Sequence, residues 1–126
     1  MSEIVDKHRA AYQKFFDAIN EGGWEKIESS LREIVTPDFI KHIHILGKPK
    51  KERTLDEYIE SSKLALKELS SQRIAFKDCF SSGNMMASHV IFETTNIHTN
   101  EKQQAEAFFV DRFEGDKVAE EWEWVL

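Results

Sequence analysis

The chain has little of several things. It holds one cysteine, Cys79, two prolines and five glycines in 126 residues. A lone cysteine excludes a disulfide within the chain and accords with a reducing compartment. No Cys/His/Asn arrangement is readable around it, so Cys79 reads as an inert thiol. The scarcity of proline and glycine argues against long disordered linkers. No apolar run resembles a signal peptide, and none approaches the roughly 20 residues that span a bilayer. A cytoplasmic protein without a membrane partner is therefore expected. Excess positive charge is also lacking. Lys and Arg total 17 against 23 Asp and Glu, a formal charge of −6. Such a chain repels phosphate backbones, which argues against nucleic acid as a partner. Its one basic run, Lys48-Pro-Lys-Lys-Glu-Arg53, is short and contains an acid, and reads as a solvated loop.

What is present organises into one domain over residues 1–126, long enough for a single core. Tyr12, Phe15, Phe16 and Ile19 fall at i, i+3, i+4 and i+7, a helical stripe from about Glu3 to Asn20. Gly22-Gly23 should end that helix. Trp24, Ile27, Leu31 and Ile34 repeat the pattern in a second helix. The residue before Pro37 is pushed out of the α region, so helicity stops there. Phe39 to Leu46 reads as a short strand closed by Gly47 and Pro49. Thr54-Leu-Asp-Glu57 is a capping box that opens a third helix, with Leu55, Tyr58, Ile59, Ser62, Leu66 and Leu69 on its buried side. Ile74 to Phe80 alternates as a strand, Ser82-Gly83-Asn84 turns, and Met86 to Ile97 is a long strand. After a turn at Thr99–Lys102, Phe108–Phe113 and Val118–Val125 form a terminal hairpin around Glu114-Gly115-Asp116-Lys117. Helices followed by an antiparallel meander make an α+β layout. A strongly curved sheet around three helices would leave a cone-shaped apolar pocket.

The hairpin carries the chemistry of interest. Asp111 lies inside an aromatic strand and shares a face with Phe109 and Phe113. His42 and His44 are two apart on a strand, so both point to one side. If that side is the pocket, His42 and Asp111 could shuttle protons near neutral pH, since an apolar lining raises a carboxyl pKa. The alternative is that His44 is solvated at a strand end and Asp111 pairs with a Lys or Arg. His42-x-His44 also has the look of a metal pair, but no longer ligand motif accompanies it, and neither metal nor cofactor is expected. Hydrophobicity points Trp122 and Trp124 inward and Glu121 and Glu123 outward. Tyr12, Phe16, Trp24 and Tyr58 read as core, with a tyrosine hydroxyl available to the pocket. His89 reads as outward or at a subunit interface, and His8 and His98 as surface residues.

Four segments together resemble the nuclear transport factor 2-like superfamily, and within it the SnoaL-like domains. They are Tyr12–Gly22, Thr36-Pro-Asp-Phe-Ile-Lys-His42, Ser82-Gly83-Asn84-Met85-Met86-Ala87, and Asp111-Arg-Phe-Glu-Gly-Asp-Lys-Val118 with Glu120-Glu121-Trp122. The resemblance implies a curved sheet over three helices with a deep apolar pocket, and a homodimer. Relatives are ketosteroid isomerases, polyketide cyclases, epoxide hydrolases and dehydratases, or simple binding modules. Two departures stand out. Where SnoaL-like cyclases carry an aspartate base four residues beyond the hairpin tryptophan, this chain has Leu126. Where steroid isomerases carry an acid before the Phe-Arg-Phe run, it has Phe109. Two functions follow as expectations. One is a pocket protein for a small hydrophobic molecule, an isomerase, cyclase or dehydratase using Asp111 and His42. The other is a non-catalytic ligand-binding or dimerisation module.

Overall fold

A computed structural model describes the backbone of residues 3–21 and 24–126, and the side chains of 8–21, 25–68 and 72–126. The Gly22-Gly23 helix end and the side chains of Trp24 and Leu69 lie outside the described residues. In order come α1 (Glu3–Glu21), α2 (Trp24–Ile34), β1 (Val35–Ile45), β2 (Lys51–Thr54) and α3 (Leu55–Leu66). Strands β3 (Leu69–Ser82), β4 (Met85–Asn96), β5 (Lys102–Glu114) and β6 (Lys117–Val125) follow. Six strands form one curved, unclosed sheet in the order β2-β1-β6-β5-β4-β3. The three helices cover its concave side, in the expected α+β arrangement. One pair departs from the antiparallel meander. β1 runs parallel to β6, with Lys41 opposite Glu121 and Ile43 opposite Glu123.

Local chemistry places the helices. The α1 stripe of Tyr12, Phe15 and Phe16 is buried, as are Ile27, Leu31 and Ile34 of α2. α2 ends at Ile34, ahead of Pro37. The capping box forms as read: Glu57 N–H donates to Thr54 Oγ1 at 3.3 Å, and Thr54 N–H donates to Glu57 Oε1 at 3.0 Å. Thr54→Ala should lower stability by about 1 kcal/mol in a urea melt, since it leaves one orphan helix donor without its partner. Several boundaries differ from expectation, with β1 opening at Val35 and β5 at Lys102, earlier than read. Leu69 opens β3 instead of extending α3. The basic stretch at Lys51–Arg53 is not simply a loop but an edge strand pairing with β1, its side chains largely exposed.

Two irregularities decide which side chains face the cone. In β3, Phe76 pairs with Val90 and Asp78 with His89, so Lys77 is an extra residue. A bulge inverts the alternation beyond it. Cys79 consequently packs toward the core while Phe80 is 69% exposed. In β6, Phe113 pairs with Val118 but Arg112 with Glu120, so Ala119 is the extra residue. Val118 and Ala119 are both buried in succession. Past that bulge the even-numbered and odd-numbered residues of β6 have exchanged faces.

Candidate active site

The exchange of faces builds the site. Unbroken alternation from Val118 would send Trp122 and Trp124 into the cone. The bulge sends Glu121 and Glu123 there instead, which corrects the expected orientation of all four residues. In the parallel register, Lys41 of β1 then lies beside Glu121, and it too points inward. On β5, which alternates without interruption here, Asp111 sits opposite Glu121 and Phe109 opposite Glu123. Asp111, Lys41 and Glu121 are 1%, 2% and 3% exposed, respectively.

These residues form one polar cluster at the wall of a cavity of about 150 Å³. Lys41 Nζ donates to Glu121 Oε1 at 2.6 Å and lies 2.9 Å from Glu123 Oε1. The Tyr12 hydroxyl lies 2.6 Å from Glu121 Oε2 and 3.0 Å from Asp111 Oδ1. The carboxyls of Asp111 and Glu121, opposite one another on β5 and β6, thus share the Tyr12 hydroxyl. Lys41 Nζ also stands over the rings of Tyr58, at 4.4 Å, and Phe109, at 5.0 Å. The rest of the wall is mainly apolar, with Phe15, Phe16, Leu31, Phe39, Ile74 and Phe92.

Electrostatics separates the two carboxyls. Burial drives the Asp111 carboxyl well above the usual aspartate range, and the neighbouring Glu121 charge adds to it. Burial works on Glu121 in the same direction, but the Lys41 ammonium and hydrogen bonds from its neighbours win, and its carboxyl falls below the ordinary value. Burial disfavours a charge on Lys41, yet Glu121 and Glu123 overcome it and hold the ammonium well above the lysine range. Tyr12 is pushed well upward by burial, then by the charges of Asp111 and Glu121, so it keeps its proton. The cluster thus sets a carboxyl that holds its proton more tightly than usual against one that releases it more readily, with the Lys41 ammonium beside the second. Two carboxyls whose environments push them apart are what acid–base chemistry requires.

Several expected residues lie elsewhere. Tyr12, Phe16, Tyr58, Phe109 and Asp111 do line the cavity. His42 does not join Asp111. It occupies the convex face, where Nε2 lies 2.6 Å from Glu120 Oε2 and the ring stacks on Trp122 at 5.1 Å. Its hydrogen bond, with one from Arg112, holds the Glu120 carboxyl below the usual range against a modest opposing effect of burial. His44 stacks on Trp124 at 5.2 Å on that same face, so neither these histidines nor the two tryptophans line the cone. The physical reason is the parallel register, which makes His42 the neighbour of Trp122 once Lys41 is the neighbour of Glu121. Phe113 is buried but lies outside the cavity wall, stacked on His8 with ring centroids 3.4 Å apart. His8 is therefore core, not surface. His89 stacks on Phe108 on the convex side, and His98 is exposed. Among the described residues, no three His, Cys, Asp or Glu side chains converge as a metal-binding set.

Lys41, Glu121 and Glu123 escaped sequence reasoning because charged residues on amphipathic strands normally face water. Their complementary signs on neighbouring strands were the available signal. So was Val118-Ala119, two consecutive small apolar residues that fit a bulge better than an alternating strand.

Solved structures share this fold. AclR, a candidate hydroxylase from Streptomyces galilaeus, superposes with a TM-score of 0.78 at 15% identity, covering 97% of this chain and 76% of its own. A candidate SnoaL-like polyketide cyclase from Jannaschia sp. CCS1 gives 0.78 at 13% identity, covering 99% and 89%. IdmH from Streptomyces antibioticus, a candidate polyketide cyclase, gives 0.76 at 15% identity, covering 94% and 91%. At such identities the likeness shows the fold alone. Comparison with curated proteins finds no match by sequence. The model of the SnoaL-like polyketide cyclase family matches residues 8–125, and the chain belongs to that family of the nuclear transport factor 2-like superfamily.

Proposed function

We propose that the cavity binds a small, mostly apolar carbonyl compound and moves a proton on it through Asp111. The observation that carries this reading is the buried Asp111–Glu121 pair at the cavity wall, with Tyr12 on both and Lys41 on Glu121. Isomerisation, cyclisation and dehydration share one requirement: an oxygen gains a proton and a carbon loses one. Asp111 holds the proton to be given. The Asp111–Glu121 pair, once it has given that proton, is the acceptor for the one leaving carbon. Tyr12 keeps the carboxyls aligned, and the aromatic wall excludes water, which strengthens each of these interactions.

This assignment replaces the His42–Asp111 pair with Asp111–Glu121. It is tested with 2-tetralone in D2O, following deuterium entry at the α-carbon by NMR. The wild type should exchange faster than buffer. Asp111→Asn should lower the protein-dependent rate by about 10²- to 10⁴-fold, as loss of a general acid–base group does, while the ketone still binds. Binding without exchange in the wild type would leave the second reading.

That second reading is a non-catalytic binding or dimerisation module, and the convex face favours it. Phe108 and Trp124 pair across β5 and β6 and are 40% and 38% exposed. An uncovered sheet face with large aromatics suits a second copy of the chain. A cytoplasmic homodimer is the assembly proposed under either reading. Among the described residues no helix is long and apolar enough to cross a membrane.

A further inference from the structure

Taking the cavity as a ligand site, the reading on which this step rests, we infer that its occupant carries a basic amine on an apolar skeleton. The first ground is the balance of ionisable groups in the wall. Asp111, Glu121 and Glu123 supply three carboxyls, against the single ammonium of Lys41. Lys41 is already shared between two of them, at 2.6 Å and 2.9 Å. Even with Asp111 neutral, two carboxylates face one cation in an apolar enclosure. A carboxylate or phosphate ligand would add to an uncompensated negative charge. An ammonium would offset it.

The second ground is independent of charge. Gln72 lines the same cavity, and its buried Oε1 has no hydrogen-bond partner among the described residues. An acceptor without a donor in the wall calls for a ligand that brings N–H or O–H groups. Gln72 stands on β3, three strands away from Glu123 in the order β6-β5-β4-β3, so acceptors flank the cavity from two sides. The third ground is the shape of the charged corner. The Tyr58 and Phe109 rings that line it already carry one ammonium on their faces, the arrangement that stabilises cations against aromatic surfaces. Apolar residues such as Phe16 and Ile74 provide for the skeleton.

The test uses three probes of one shape: cyclohexylmethylamine, cyclohexylmethanol and cyclohexanecarboxylate. Each is titrated at neutral pH, and binding is read from the amide NMR signals of the cavity residues Ile74 and Phe109. The amine should bind about tenfold tighter than the alcohol or better, a step of one decade in Kd, and the carboxylate should bind weakest. Glu123→Gln should bring the amine-to-alcohol ratio close to one. A carboxylate that binds as tightly as the amine overturns the inference. So does an amine preference that survives both Glu123→Gln and Gln72→Met. Either result leaves the cavity standing as a ligand site. If none of the three probes moves those signals, the ligand-site reading itself falls and takes the inference with it.

Discussion

Lys41→Met is expected to lower folding stability by about 3–5 kcal/mol at neutral pH, the usual cost of removing one partner from a buried ion pair. The substitution keeps much of the side-chain volume, so the loss is electrostatic. Glu121 and Glu123 would remain facing the cone with no ammonium between them. The deficit should shrink in acid. Glu121 titrates below its ordinary value in the folded protein, so its contribution is present above the unfolded glutamate pKa and is lost as pH falls through the folded one. Urea titrations of both proteins from neutral pH downward would show the two curves converging. A Lys41→Met variant as stable as the wild type at neutral pH would mean that the lysine is not held between these carboxylates, and the division of labour between Asp111 and Glu121 would fall with it.

Asp111→Asn should act in the opposite direction on the alkaline side. The Asp111 carboxyl is raised by burial and by Glu121, so the folded protein holds that proton more tightly than the unfolded chain does. Its contribution is therefore complete below the unfolded aspartate pKa of roughly 3.9. It is lost as pH rises through the folded value. Between those points the wild type gives up as much as about 1.4 kcal/mol per pH unit relative to a variant that cannot ionise. Asparagine has the size of the neutral acid and carries N–H donors in place of the acid proton. Stability measured from pH 4 to pH 9 should thus show Asp111→Asn gaining on the wild type as pH rises. Parallel curves would show that Asp111 is ionised in the folded state. The proton donor of the proposed reaction would then be missing.

Much of the architecture was legible because local signals agreed with tertiary packing. The spacing of Tyr12, Phe15, Phe16 and Ile19, the proline at 37 and the Thr54–Glu57 box each act over a single turn, and each does in the structure what its chemistry dictates. That Asp111 shares a face with Phe109 and Phe113 was legible because β5 alternates without interruption around it, whereas the choice between pocket and outer face was not. The partners of Asp111 were not legible. Period-two reasoning carries no memory of an extra residue, so Ala119 turned a sound hydrophobic argument about Trp122 and Trp124 into the wrong face. The same slip hid Lys41, whose inward position depends on a parallel pairing with a strand 80 residues further along the chain. His42 then followed Trp122 to the convex side.

Ala119 therefore works as a reading-frame device for the terminal strand. The segment from Glu121 to Trp124 carries two messages, one per frame: tryptophan on even positions, glutamate on odd. With the extra residue, the cone receives the acids and the back of the sheet receives the indoles. Without it, the same four residues would turn two indoles into the cone and leave two carboxylates on its outer skin, and Lys41 would lose the counter-ions it meets there. One alanine, with no functional group of its own, selects between a greasy container and a titrating one.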